Sequence, residues 1–292
     1  MKDYLVYLGL RTAVALVGLL PKKAALGLGS VIGRLWHAVD RSRRAMSRRH
    51  MSRVLGASGD VDAASRSVMM SYGRYLAEAL WVRGHRVAGM LAGTTTEGLD
   101  RVIQAHAEGK GMIYALPHMG NWEAAAPVAV NEGISIVAVA EDLDNERITK
   151  WFTQRREEFG IEIVLATGRV EVMRKLEAAI AANKAIALLS DRDLNRRGIE
   201  VEFFGEKTTF PAGPATLAVK TGAPLFPVAT YFDGDGHRVV VRPRLHVPEA
   251  ESRGEMVRLM TQELAGELEK LILHAPEQWH LVQPNWPSDL DE

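Results

Sequence analysis

Between residues 112 and 232 the chain alternates short apolar runs with longer segments of helical periodicity, and this alternation restricts the fold more than any other feature. MIYAL (112–116), ISIVAV (134–139), IEIVL (161–165), AIALLS (185–190) and LFPVATYF (225–232) are rich in β-formers and too short to be helices of their own. Helical patterns precede the first run, at 98–108, and fill the gaps, at 122–132, 144–158, 170–182 and 212–221. Strands alternating with helices imply βαβ units, in which a crossover helix brings the chain back parallel to the strand it left. The pattern predicts an α/β fold, a mostly parallel central sheet flanked by helices. HRVVVRPRLHV (237–247) reads as strand material near a sheet edge, residues 251–273 as a long amphipathic helix, and PEQWHLVQPNWPSDLDE as a loop-like ending with two Trp.

The N-terminal part has a different texture. Val61, Ala64, Val68, Met69, Tyr72, Tyr75, Leu76 and Leu80 fall at the spacing of one amphipathic helix. Ahead of them, residues 4–20 are apolar except for Arg11, too short and interrupted for a bilayer span, and no small-residue cleavage site marks a signal peptide. Pro21 closes that segment, a second apolar stretch contains Arg34, and residues 41–53 carry six Arg with no acid among them. Two readings stand: a pair of core helices, or helices lying on a bilayer with the Arg run against anionic headgroups. Adjoining apolar and basic stretches favour the second, a monotopic rather than spanning arrangement. The expected organisation is an N-terminal apolar and basic helical region, 1–56, followed by an α/β domain, 57–292.

Composition narrows the chemistry. Lys and Arg total 36, as do Asp and Glu, so no global field draws the protein to nucleic acid. The chain contains no Cys, which excludes disulfides, thiolate metal sites and a Cys nucleophile. It also has no G-x-S-x-G elbow, no H-E-x-x-H and no Walker A loop. The most informative stretch is LPHMGNWEAAAP, 116–127, which directly follows the run MIYAL and precedes a helical pattern. It is therefore the turn at a strand's carboxyl end, where open α/β sheets bind ligands. Gly120 permits a tight turn, and Asn121 can cap the following helix. Glu123 can fold back toward His118, fix its tautomer and strengthen its other ring nitrogen as a base. With no covalent nucleophile in evidence, such a base would activate a hydroxyl for direct attack.

The run Pro117-His118-Met119-Gly120-Asn121-Trp122-Glu123 resembles the H-x4-[D/E] motif of membrane glycerolipid acyltransferases, and in its extended form the H-x-G-N-W-E of the bacterial lipid A acyltransferase family. Glu141-Asp142-Leu143 with Phe152, Arg155-Arg156 and Gly160 looks like the family's second block, and Ser190-Asp191-Arg192-Asp193 resembles its D-x-D segment. Phe203-Phe204-Gly205, Phe210-Pro211-Ala212-Gly213-Pro214, Thr221-Gly222-Ala223-Pro224 and Pro276-Glu277-Gln278-Trp279 match further landmarks, so the likeness covers most of residues 40–280. Gram-negative members usually end in another aromatic and a basic tail. Trp279 to Pro287 departs from that and looks like the actinobacterial branch, the phosphatidylinositol mannoside acyltransferases. An excess of Arg over Lys, 26 to 10, agrees.

The resemblance implies transfer of a palmitoyl group from acyl-CoA to the 6-hydroxyl of a mannose on phosphatidylinositol. It implies acyl-CoA as co-substrate with no cofactor and no metal. The implied partners are the phosphatidylinositol mannoside acceptor and an anionic membrane surface, and the implied place is peripheral, on the cytoplasmic face of the cell membrane. His118 would be the general base, and Glu123 would orient it and stabilise the imidazolium. Asn121 and Trp122 beside them are expected to contact substrate. Glu141 and Arg156 form a structural ion pair, or else contact the polar acceptor or support the catalytic centre. Asp191 and Asp193 would accept hydrogen bonds from sugar hydroxyls or partner Arg192, Arg196 and Arg197. Glu200 is either a surface strand residue or a site residue close to His118, and His280 either lines the acceptor pocket or packs with the tail. The rival readings are an acyltransferase on a lysophospholipid or lipid A precursor, and a catalytically silent lipid-binding protein.

Overall fold

The chain, described here for residues 2–290 by a computed structural model, begins with five helices. These are α1 (Lys2–Gly18), α2 (Lys22–Val39), α3 (Arg41–Leu55), α4 (Val61–Trp81) and α5 (Gly84–Ala92). The strands are β1 (Thr94–Glu97), β2 (Met112–Leu116), β3 (Ile136–Ala140), β4 (Ile161–Leu165), β5 (Ala185–Leu189), β6 (Ile199–Phe203), β7 (Glu206–Phe210), β8 (Leu225–Asp233) and β9 (Gly236–Val241). Among them lie α6 (Leu99–Ala107), α7 (Ala125–Asn131), α8 (Glu146–Glu157), α9 (Arg169–Ala181) and α10 (Gly213–Thr221), and α11 (Arg253–His274) follows.

The main sheet runs β1-β9-β8-β2-β5-β3-β4, with β6 and β7 as a separate hairpin. Its neighbours pair parallel except β8 with β9, which a tight turn joins with no room for a crossover. β2 sits at the centre and is buried on both faces, which is why MIYAL is apolar throughout rather than alternating. Ile113 and Ala115 join the core beneath α9, α10 and α11, while Met112, Tyr114 and Leu116 join the core beneath α6 and α7. β9 lies inside the edge rather than on it, because β1 covers it. The sequence gives no sign of β1: it reads Thr-Thr-Thr-Glu and is mostly exposed, so no apolar periodicity marks it. The loop-like C-terminal segment is deeply packed, with Trp279 and Trp286 fully buried.

α2 and α4 cross closely enough that a Cβ on Gly29 or Gly73 would overlap the other helix's backbone, and one on Gly33 would overlap the carbonyl of Met69. This pairing buries Ala25, Leu26, Gly29 and Gly33 and turns Leu28, Val31, Ile32, Leu35 and Val39 outward. α1 likewise exposes Leu5, Val6, Leu8 and Leu16, and Leu19 just after it is exposed too. Among the described residues no helix is long and apolar enough to cross a membrane.

Several guanidinium groups of the Arg run have partners within the chain, some of them at the surface. Arg43 pairs with Asp40 and lies over the Trp36 ring, and Arg44 donates to the His37 and Ala38 carbonyls at the end of α2. Arg48 pairs with Asp62, and Arg53 pairs with Glu206 and Asp289 and covers Trp286. α3 thus clamps α2, α4, the hairpin and the C-terminal segment.

Candidate active site

β2 and β5 are parallel neighbours in register, Leu116 opposite Leu189. Residues at equal distance beyond their carboxyl ends therefore meet, and these are His118 and Asp191. His118 Nδ1 lies 2.7 Å from Asp191 Oδ1, and the His118 backbone N–H donates to Oδ2 at 3.0 Å. The Asp191 side chain is wholly buried whereas the His118 side chain keeps about a quarter of its surface exposed. Trp279 Nε1 also donates to Oδ2, at 2.7 Å, and the Asn285 amide donates to the Asp191 carbonyl at 3.2 Å. Burial alone would raise the Asp191 pKa, but the adjacent His118 and the donors from His118 and Trp279 bring it below the ordinary carboxylate value. An ionised carboxylate can only accept, so Nδ1 carries the proton and Nε2 is left as the basic nitrogen.

The turn itself is tightly built. Gly120 has φ +56°, and a Cβ there would overlap the Thr230 carbonyl of β8. The C-terminal segment straps the turn: Gly120 N–H donates to Gln278 O, and His280 N–H donates to His118 O at 2.7 Å. His280 is buried, shares a hydrogen bond with Ser71 Oγ through Nε2 and stacks on Tyr72. Burial, followed by repulsion from His118, pushes its pKa down to about 3, so it is neutral at physiological pH.

Glu123 is not the residue that orients His118. The first helical turn carries it away from the imidazole, and its Oε1 accepts instead from Arg156 Nε of α8 at 2.8 Å. Asn121 does cap this turn, accepting from Glu123 N–H, but it is buried and its amide nitrogen donates to Glu78, away from any substrate space. Trp122 is half-buried and presents its ring edge-on to His118, with centroids 5.6 Å apart. Glu141 is exposed, so it is not the partner of Arg156. Asp193 uses its carboxylate on the backbone N–H groups of Asn195 and Gly198, shaping its own loop rather than pairing with Arg192, Arg196 or Arg197. Glu200 is an exposed strand residue of β6 paired with Lys207, away from His118. Trp279 and Glu78 hold the site's polar atoms although their side chains had drawn no site role from the sequence. Trp279 stood only as part of a C-terminal landmark, and nothing local marks Glu78.

Across Trp122 from His118, an apolar cavity of about 110 Å³ lies between the sheet and the α6–α7 side. Leu116, Ala129, Ile136, Ala187 and Val228 line it, and Glu123 and Arg156 are the charged residues in its wall. A cavity so lined suits a hydrocarbon chain. Among the described residues no group of three or more His, Asp and Glu side chains is placed to hold a metal ion.

Residues 1–288 match the family described as bacterial lipid A biosynthesis acyltransferase. A phosphatidylinositol mannoside acyltransferase of Mycolicibacterium smegmatis is 35% identical over 293 residues, covering 98% of this chain and 92% of the relative. Another protein of that name, from Mycobacterium tuberculosis, is 36% identical over 250 residues, covering 84% of this chain and 78% of the relative.

Proposed function

From the premise that the chain belongs to the bacterial lipid A biosynthesis acyltransferase family and is an acyltransferase acting on a glycolipid, we propose that it moves a palmitoyl group from acyl-CoA to a mannose hydroxyl of a phosphatidylinositol mannoside. The acceptor follows the names of the relatives. The observation that carries the mechanism is the partly exposed His118 held at Nδ1 by the buried Asp191.

In this reading His118 Nε2 takes the proton of the mannose hydroxyl as that oxygen attacks the thioester carbonyl. Asp191 stabilises the imidazolium that forms. Collapse of the tetrahedral intermediate breaks the carbon–sulfur bond, and the imidazolium returns its proton to the leaving thiolate. The products are the ester and free CoA. No acyl-enzyme forms. The acyl chain lies in the apolar cavity, which must widen to take a full palmitoyl chain, and the Glu123–Arg156 pair fixes α8 against the turn at its charged end.

The outward faces of α1 and α2 support a monotopic position on the cytoplasmic side of the cell membrane. Leu19 is 82% and Val39 77% exposed, and both apolar substrates partition into a bilayer. With several guanidinium groups of the Arg run partnered within the chain, this contact is chiefly apolar. The deciding experiment is a mass-spectrometric assay of the purified protein with palmitoyl-CoA and a panel of lipid acceptors. Acylated phosphatidylinositol mannoside is the expected product, and folded His118→Ala should lose turnover by about 10²–10⁴-fold. Preference for a lysophospholipid acceptor, or near-normal turnover by that variant, defeats the proposal.

A further inference from the structure

The turn carrying His118 is held on one side by the C-terminal strap through Gln278 and His280. On the other side stands Glu78 of α4, whose side chain has no exposed surface. Its Oε2 accepts from Asn121 Nδ2 at 2.9 Å and lies 2.8 Å from His237 Nε2 on β9. Its other oxygen, Oε1, has no hydrogen-bond partner, and Lys22 Nζ at the start of α2 approaches it to 3.7 Å. Asn121 and His237 are themselves buried. Burial alone would raise the Glu78 pKa, but the hydrogen bonds from His237 and Asn121 hold it below the ordinary value.

A carboxylate buried among α4, β9 and the turn is a costly choice for packing alone, since an apolar side chain of similar volume fills such a space without desolvating a charge. Its geometry gives it another use. Asn121 has both ends of its amide committed: the nitrogen donates to Glu78, and the oxygen accepts from Glu123 N–H at 3.2 Å. Glu78 therefore sets which way the amide faces, and the amide sets the backbone between Gly120 and Glu123. His118 lies two residues before that segment and must hold Nε2 at the attacking hydroxyl, where small displacements cost rate steeply.

We propose that Glu78 is a positioning residue for acyl transfer, acting through Asn121 on the turn that carries His118. The inference rests on His118 being the general base. Glu78 touches neither substrate, so its loss should appear in kcat rather than in donor binding.

The test uses the full-length protein with palmitoyl-CoA and vesicles containing phosphatidylinositol mannoside, with kcat, the palmitoyl-CoA KM and thermal unfolding measured for each variant. Glu78→Leu and Asn121→Ala should each lower kcat by about tenfold or more, with KM within about twofold of the parent. Glu78→Gln keeps an oxygen facing Asn121 and should recover most of the rate. The Glu78→Leu/Asn121→Ala double variant should be no slower than the slower single, because both cut one tether. Should Glu78→Leu fail to fold, Asn121→Ala reads the same tether from its other end. A folded Asn121→Ala or Glu78→Leu protein with parental kcat, or losses that multiply in the double variant, overturns the inference. His118→Ala run alongside separates the two ideas: if it stays active the general-base reading fails, and if it alone is inactive only the positioning role fails.

Discussion

Around His118 buried polar side chains hold one another by hydrogen bonds, while one face of α1 and of α2 turns apolar side chains outward. In the first region Asp191 accepts from His118 and Trp279, and the turn is bonded to Gln278, His280 and Glu78. In the second, Leu28, Val31, Ile32, Leu35 and Val39 form one outward stripe, and glycines on the opposite side let α2 sink against α4. The difference teaches where function is concentrated. A few directional bonds define the geometry of the proposed site, so one lost bond is felt strongly. Surface partitioning sums many equivalent contacts, so no single residue dominates it.

Breaking the first region should give the largest effect. Asp191→Asn removes the acceptor that fixes the His118 tautomer, and turnover should fall about 10²–10⁴-fold in a steady-state assay. Glu123→Ala should cost less, roughly tenfold to a hundredfold, because it frees Arg156 without touching the imidazole. Equal losses would return Glu123 to the role of orienting the base. Next comes the joint between the regions. Gly33→Val meets the Met69 carbonyl and should lower stability by about 1–3 kcal/mol in denaturant unfolding, leaving the kcat of folded protein unaltered.

Acid should weaken the catalytic region before the helical pair. His280 is pushed down to about 3 in the folded protein, whereas its ordinary value is 6.5. Below pH 6.5 the unfolded chain binds a proton there that the folded one does not, so stability falls as pH drops from about 6.5 toward 3. Asp191, lowered by its partners, adds stability that is present above the ordinary carboxylate pKa and is lost as pH falls through its lower folded value. His280→Phe should flatten the upper part of that slope in thermal unfolding at stepped pH, and an unchanged slope would exclude His280 as its source. The smallest effect belongs to Leu35→Ala, which should weaken vesicle co-sedimentation by about 1 kcal/mol and leave unfolding unaffected. The same binding should change little with salt, and a steep salt dependence would show that the Arg side chains reach the headgroups after all.

The alternating apolar runs and the turn after MIYAL were legible because both are local. A strand buried on two faces must be continuously apolar, and a Gly at positive φ followed by a capping Asn marks its own turn. The turn and the resemblance brought His118, Glu123, Asp191 and Arg156 forward, but Glu123 was expected on the imidazole, and an ion pair of Glu141 with Arg156 was one of the alternatives left open. The actual pairs, His118 with Asp191 and Glu123 with Arg156, join residues far apart in the chain. Glu78 was invisible for the same reason: on α4 it reads as one more acid, and only its burial against Asn121 and His237 sets it apart.

The sequence by itself determined the α/β class, the apolar core strands and the tight turn that follows β2, because periodicity and turn chemistry act over a few residues. It also determined that α1 and α2 would be apolar, but not which side of each would face out. Strand order decided the rest. Once β5 lies beside β2, Asp191 must meet His118 beyond their carboxyl ends, and once α2 is locked to α4 through Gly29, Gly33 and Gly73, Leu28 and Leu35 on its far side face outward. Neighbours in space are set by packing of the whole chain, and no local stretch of residues encodes them.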